Sequence, residues 1–160
     1  MFKLNRIVFI KITSAILIAL TAVSCGKDQN AFLPNVQVNF SLTPYELSFL
    51  EVSGNSIVFT NQGVNGVIVV CVDPNSSQYF AYDATCPYEK DYSGVVTVQA
   101  VKNYTSPPYT IFSSDFYGVC NKCGSKFNLM GGGQPVSGPA THYLQNYNVL
   151  SGFGTLTVTH

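Results

Sequence analysis

Apolar and polar residues alternate along much of the chain, and this period of two is the pattern of half-buried β-strands. The clearest alternation covers residues 36–42, where every second residue is apolar. Residues 67–72 are instead a continuous run of β-branched residues interrupted only by Cys71, which is typical of a strand buried on both faces. Turn-forming residues at 73–77 separate this run from 78–82, so the two segments are predicted to form a hairpin.

The remaining apolar segments also predict strands rather than helices. Residues 45–52 fit either a strand or a short helical turn, and residues 109–117 fit either a strand or an irregular loop. No long amphipathic helical pattern follows residue 30. The sequence therefore predicts an all-β, antiparallel sandwich or small barrel. Its further predicted strands are 57–59, 94–101, 143–150 and 155–159, the last two forming a closing hairpin with a glycine turn.

The N-terminal segment has the composition of a secretory signal peptide. Lys3 and Arg6 form a basic start, residues 7–20 are mostly apolar, and the segment ends in small residues before Cys25. Lipoprotein processing cuts before such a cysteine and acylates it, so Cys25 is the predicted lipidation site. An uncleaved anchor helix is the alternative, although Lys11 leaves an apolar stretch shorter than a membrane span of about 20 residues.

This leader sets the predicted domain organisation and location. We expect a bacterial lipoprotein outside the cytoplasm, in the periplasm or on the cell surface, with the lipid as its contact to the membrane. The chain of 160 residues is long enough for one ordinary domain. The predicted parts are a signal peptide (1–24), a lipidated N-terminus and tether (25–35) and one β domain (36–160).

Charge argues against nucleic acid as a partner. Charged residues make up only 10% of the chain, and removal of residues 1–24 leaves a formal charge of −3. A nucleic-acid surface needs a basic patch that neutralises phosphates. The mature chain has no such patch in its sequence, so no nucleic-acid binding is expected.

Two cysteine-bearing loops are the candidates for chemistry. Cys86 follows a predicted strand and precedes a proline, and Cys120 and Cys123 form a CxxC pair followed by Gly-Ser-x-Phe. Closely spaced cysteines on a tight turn can bring thiolates to one ion or cluster. Nearby glycines let the backbone approach sulfur and donate N–H groups to it.

Together these loops resemble the paired cluster-binding loops of Rieske iron–sulfur domains. The resemblance lies in YFAYDATCPY at 79–88, CNKCGSKF at 120–127 and GGGQPVSGPATHYLQNYNV at 131–149. In that family each loop gives one cysteine and one histidine to a 2Fe–2S cluster. The resemblance implies a Rieske-like β domain with a two-loop tip. It also implies cofactor-binding roles for Gly124, Ser125 and Phe127, which match the turn that bonds the cluster sulfurs, and for Gly138 and Pro139, which match the covering loop.

The ligand positions depart from the family pattern. Cys86 and Cys120 match the two cysteines, whereas Tyr88 and Cys123 stand where the histidines would be. The resemblance implies that these four residues ligate a 2Fe–2S cluster in an atypical way. The implied function is electron transfer with a redox partner protein rather than complete catalysis.

Two other interpretations of the cysteines stay open. Three thiolates and one further group would complete a tetrahedral zinc site. In an oxidising compartment the cysteines could instead form a disulfide, leaving a cluster-free binding or structural lipoprotein. His142 could replace a missing ligand but fits a surface position equally, and Cys71 fits a small buried hydrophobe.

Overall fold

The computed structural model describes residues 33–34, 36–99, 101–106, 109–113 and 116–160. The predicted signal peptide, Cys25 and most of the tether lie outside these residues. The described elements are one short helix, α1 (Pro44–Ser48), and strands β1 (Asn39–Leu42), β2 (Ser56–Phe59), β3 (Val67–Asp73), β4 (Gln78–Asp83), β5 (Val96–Val98), β6 (Val101–Ser106), β7 (Tyr109–Ser113), β8 (Tyr117–Cys120), β9 (Lys126–Asn128), β10 (Gln134–Ser137), β11 (Asn146–Gly152) and β12 (Thr155–Thr159). No helix among them is long and apolar enough to cross a membrane.

The strands form two antiparallel sheets. The large sheet has the order β1-β12-β11-β4-β3-β2-β7-β6, and the small sheet has the order β10-β9-β8-β5. The predicted hairpins are both present: β3 pairs with β4, and β11 pairs with β12. The prediction of an all-β antiparallel fold is therefore confirmed.

β3 is the central strand of the fold because it is buried on both faces, as its continuous apolar run predicts. Val67, Val69 and Cys71 pack into a first core with residues of β1, β2 and β12. Ile68 and Val70 point to the opposite face and pack into a second core beneath the small sheet. All five side chains are fully buried.

The second core joins the two sheets and supports the cysteine loops. Phe127 and Leu129 of the small-sheet region pack against Tyr82 of β4, and the Tyr82 hydroxyl donates a buried hydrogen bond to the Leu129 carbonyl oxygen at 2.9 Å. Cys86 and Cys120 belong to the same core. The two loops are therefore anchored in packed structure rather than on a free surface.

One segment adopts the helical alternative of its prediction, and two others differ in detail from what the sequence predicts. Residues 45–52 begin in the helical turn α1, because Thr43 and Glu46 form a capping box and Pro44 occupies the first turn. The predicted strand 94–101 is divided between β5 and β6. The strands β9 and β10 occur in a region for which the sequence predicts loops.

Candidate metal centre

The first cysteine loop is positioned by a buried carboxylate at the end of β4. Asp83 is fully buried and accepts hydrogen bonds from the backbone N–H of Thr85 at 2.9 Å, from the N–H of Val64 at 2.7 Å and from the Tyr147 hydroxyl at 2.8 Å. These donors fix the chain just before Cys86. The loop then closes on itself, since the Cys86 N–H donates to the Gly94 carbonyl oxygen at 2.8 Å.

The second loop is the tight turn between β8 and β9. Cys120 is the last residue of β8, and its N–H donates to the Ser125 carbonyl oxygen at 2.9 Å, while the Gly124 N–H donates back to the Cys120 carbonyl oxygen at 3.1 Å. Gly124 has a φ of +70°, which glycine adopts without strain. This turn holds Cys120 and Cys123 on one side of the loop.

Asn121 joins the two loops. Its backbone N–H donates to the Val95 carbonyl oxygen at 2.9 Å, and its side-chain oxygen accepts the Val95 N–H at 2.9 Å. Val95 directly follows the closed end of the first loop, so these reciprocal bonds fix the separation of the two loops.

The loops bring three sulfur atoms together. The Sγ atoms of Cys86, Cys120 and Cys123 all lie within 4.8 Å of one another, and those of Cys86 and Cys123 are 3.6 Å apart. Tetrahedral ligation at about 2.3 Å per metal–sulfur bond places two sulfurs about 3.8 Å apart. The three cysteines are free thiols rather than disulfides. Three close cysteines can therefore bind a metal ion, with one tetrahedral position left for another group.

The surroundings shift the pKa values of Cys86 and Cys123 in opposite directions. Burial raises the pKa of Cys86 well above its ordinary value, although the N–H of Tyr88 opposes this effect. Burial also raises the pKa of Cys123, but hydrogen bonds from Ser125, Cys120 and Cys86 lower it more, so the net shift is downward. Cys123 thus ionises more readily than Cys86, and a metal ion would have to displace the proton of Cys86.

Ser125 links the cysteine turn to the covering segment. This residue is fully buried; its Oγ lies 3.1 Å from Sγ of Cys123 and accepts the Ala140 N–H at 2.9 Å. A Cβ on Gly138 would lie 2.5 Å from Cα of Ser125, so only glycine lets the 138–140 segment approach this closely. The segment thereby fixes the serine that contacts Cys123.

The other residues implied by the Rieske resemblance occupy varied positions. Phe127 is fully buried in the second core, while Tyr88 is 50% exposed. Tyr88 approaches the sulfur of Cys86 through its backbone N–H. Pro139 and Gly124 are exposed. Of these residues, Ser125 and the backbone of Tyr88 contact the sulfurs.

Two further candidates lie away from the three sulfurs. His142 is exposed on the wall of a cavity of about 330 Å³ beside Thr85 and Pro87, and it is not part of the three-sulfur group. Cys71 is fully buried in the first core, where burial and the nearby charge of Asp73 raise its pKa to about 11. Cys71 behaves as the buried hydrophobe that its position in an apolar run predicts.

Sequence reasoning did not identify three residues that build the centre. They are Asp83, Gly94 and Asn121. The sequence does carry a signal for Asp83, because an aspartate at the end of a buried strand can cap the turn that follows it. Gly94 and Asn121 act through contacts between the loops, and no local pattern marks such contacts.

The comparisons with known proteins found no significant match to this chain. No protein-family model matches the sequence. No curated protein and no solved structure matches it significantly.

Proposed function

We propose that this chain is a lipid-anchored metalloprotein outside the cytoplasm, with a Rieske-like β domain whose tip binds one metal ion through Cys86, Cys120 and Cys123. The observation that carries the proposal is the compact group of three sulfurs, contributed by two loops that are far apart in the sequence. The proposed ion ties these loops together and stabilises the tip.

Zinc is the metal that fits this donor set best. Zn²⁺ favours tetrahedral sites with thiolate ligands, and the 3.6 Å separation of the Cys86 and Cys123 sulfurs matches two ligands of one ion. In a 2Fe–2S cluster the four protein ligands are divided between two irons. Cys123 would then have to move away from Cys86 to reach the second iron, so the compact group suits a single ion better than the cluster.

Electron transfer by an iron form is the second candidate. It is supported by the hydrogen bonds around the sulfurs, where the backbone N–H groups of Tyr88 and Ser125 donate to Cys86 and Cys123. Such bonds adjust the reduction potential of iron–sulfur centres. Cys123 is also partly exposed, which would bring an iron centre close to a redox partner protein at the surface. Iron would supply the one-electron chemistry in this form.

The proposed location rests on the leader sequence alone. The basic start, the apolar stretch and Cys25 support export and lipidation. The lipid would hold the domain at the membrane, and residues 25–35 would form the tether. Mass spectrometry of the membrane fraction would test this directly by showing whether the chain begins with an acylated Cys25.

Metal analysis of the purified mature domain tests the proposal. The protein is prepared from cells competent for cluster assembly, without added chelator, and its zinc, iron and inorganic sulfide are measured together with visible absorption. One zinc per chain and no colour supports the zinc form. Iron with a visible absorption band supports the electron carrier, and inorganic sulfide identifies the cluster. Metal-free protein that still binds neither zinc nor iron after thiol reduction rejects a metal centre.

A Cys71→Ala variant is the matched control for cysteine substitutions. Cys71 lies outside the sulfur group, so its loss should leave the metal content unchanged. Loss of metal from this variant alone would contradict the assigned site.

A further inference from the structure

We propose that the carboxylate of Glu89 completes the metal site as the fourth ligand. The inference rests on the proposed metal centre, in which three thiolates leave one tetrahedral position open. Zinc accepts carboxylate oxygen at about 2.0–2.2 Å. A site with three thiolates and one carboxylate carries the same ligand charge as a four-cysteine site, so it is electrostatically ordinary for Zn²⁺.

The first loop folds Glu89 back towards the cysteines. The Glu89 N–H donates to the Cys86 carbonyl oxygen at 3.2 Å, and the Glu89 carbonyl oxygen accepts the Tyr92 N–H at 3.0 Å. The Cys86 N–H also donates to the Gly94 carbonyl oxygen. Glu89 therefore lies on a hydrogen-bonded loop whose two ends are beside the metal site.

Gly94 shows how close the Glu89 side chain comes to the sulfurs. A Cβ built on Gly94 would lie 3.0 Å from Cβ of Cys86 and 3.1 Å from Sγ of Cys120, and it would overlap Cγ of Glu89. The stem of Glu89 therefore packs over the space that Gly94 leaves open beside the cysteines. The carboxylate is one bond beyond that Cγ atom.

The neighbouring acidic residues are engaged elsewhere. The carboxylate of Asp83 is buried and holds the turn before Cys86. Asp91 accepts hydrogen bonds from Ser93 and lies 3.9 Å from the Lys122 ammonium group. Glu89 forms no ion pair within the described part of the chain, and its side chain is only partly exposed. It is the acidic side chain of this loop that is available for a metal.

Ligation requires a rotation of the Glu89 side chain. The group of atoms within 4.8 Å of one another contains the three sulfurs and not this carboxylate. Rotation about the side-chain bonds can swing the carboxylate around Cγ without moving the backbone, and staggered rotamers interconvert readily in partly exposed side chains. Metal binding would select the inward rotamer.

Cobalt(II) is the probe for this proposal because its absorption separates the two kinds of ligand. Thiolate-to-cobalt charge-transfer bands report the sulfurs, and the ligand-field bands report the whole coordination sphere. Reduced mature protein is titrated with Co²⁺ as wild type, as Glu89→Gln and as Asp91→Asn. Asp91→Asn is the matched control, since it neutralises a carboxylate two residues away on the same loop.

We expect Glu89→Gln to lower Co²⁺ affinity at least about tenfold and to shift the ligand-field bands, while its thiolate charge-transfer bands remain. Asp91→Asn should match the wild type. A Glu89→Gln spectrum and affinity equal to those of the wild type, with charge transfer present in both, would overturn the role of Glu89 and leave the three-cysteine centre standing. Wild-type protein without charge-transfer bands would reject the centre itself, and the role of Glu89 with it.

Discussion

The sulfur atoms of Cys86 and Cys123 lie 3.6 Å apart although 37 positions of sequence separate the two residues. The pairing of β5 with β8 produces this approach, because Val96 lies opposite Cys120 in the register of the small sheet. An unfolded chain does not hold these thiols together. An ion bound there therefore binds the folded state preferentially and stabilises it.

Replacement of Cys123 by serine should remove metal-dependent stability. A ligand of the folded state present at one hundred times its Kd adds about 2.7 kcal/mol, and the variant should lose most of that increment. The measurement is chemical denaturation of both proteins with Zn²⁺ and with a chelator. In chelator the two proteins should have similar stability, because Cys123 is only partly buried. A large difference in stability between the two proteins in the presence of chelator would instead indicate that Cys123 forms a disulfide or contributes to packing.

Gly94→Ala should weaken metal binding through steric displacement. The added Cβ would meet Cys86, Cys120 and Glu89 at once, and a crowded buried site of this kind typically costs about 1–3 kcal/mol. Zinc affinity and unfolding free energy are both measured, and both should fall. The matched control is Gly152→Ala, where the new Cβ has no neighbour within 4 Å. Equal zinc affinity and equal unfolding free energy of the two variants would show that the loops move to accommodate the Cβ at Gly94 without cost.

Tyr147→Phe should destabilise the fold because it removes a donor from the buried carboxylate of Asp83. The loss of one hydrogen bond to a buried charged group costs about 1–3 kcal/mol. Urea denaturation measures the change. Tyr143→Phe is the control, since Tyr143 is 60% exposed and its substitution should have little effect. A negligible effect of Tyr147→Phe would show that solvent replaces the lost donor at Asp83.

Stability of the metal-free protein should fall as the pH rises from 9 to 11. Burial raises the pKa of Cys71 from its ordinary 9.0 to about 11, so in this range the folded chain binds a proton that the unfolded chain has released. The contribution of Cys71 is complete below pH 9 and is lost by about pH 11, an effect of about 2 kcal/mol.

The comparison with Cys71→Ala separates this effect from the other titrating groups. Tyr82, Tyr147 and Cys86 also have raised pKa values, but both proteins share them, so they cancel in the difference. The raised pKa of Tyr79 comes first from burial and then from the charge of Cys71, so the difference includes the coupling between these two residues. Urea denaturation between pH 8 and 11 should show a shallower loss of stability in the variant. If the free energy of unfolding falls equally with pH in the two proteins, Cys71 does not titrate as a buried thiol.

Prediction from the sequence succeeded where one local pattern decides the outcome. The apolar run of β3 could be recognised because burial on both faces removes every polar position, and the CxxC turn could be recognised because its two cysteines are close in the chain. The short strands β9 and β10 were missed because their pairing depends on packing against other elements rather than on alternation. The contribution of Gly94 is visible only when residues from both loops are placed around it.

The burial of β3 in both cores has a consequence for the dynamics of the protein. A strand that supplies side chains to two cores cannot leave one of them without opening the other, so the sheets should unfold as one cooperative unit. The amide protons of Val67–Asp73 are then expected to exchange with solvent only through global unfolding. Binding of an ion at the tip would slow this exchange as far away as the core beneath β1, even though no atom there approaches the metal.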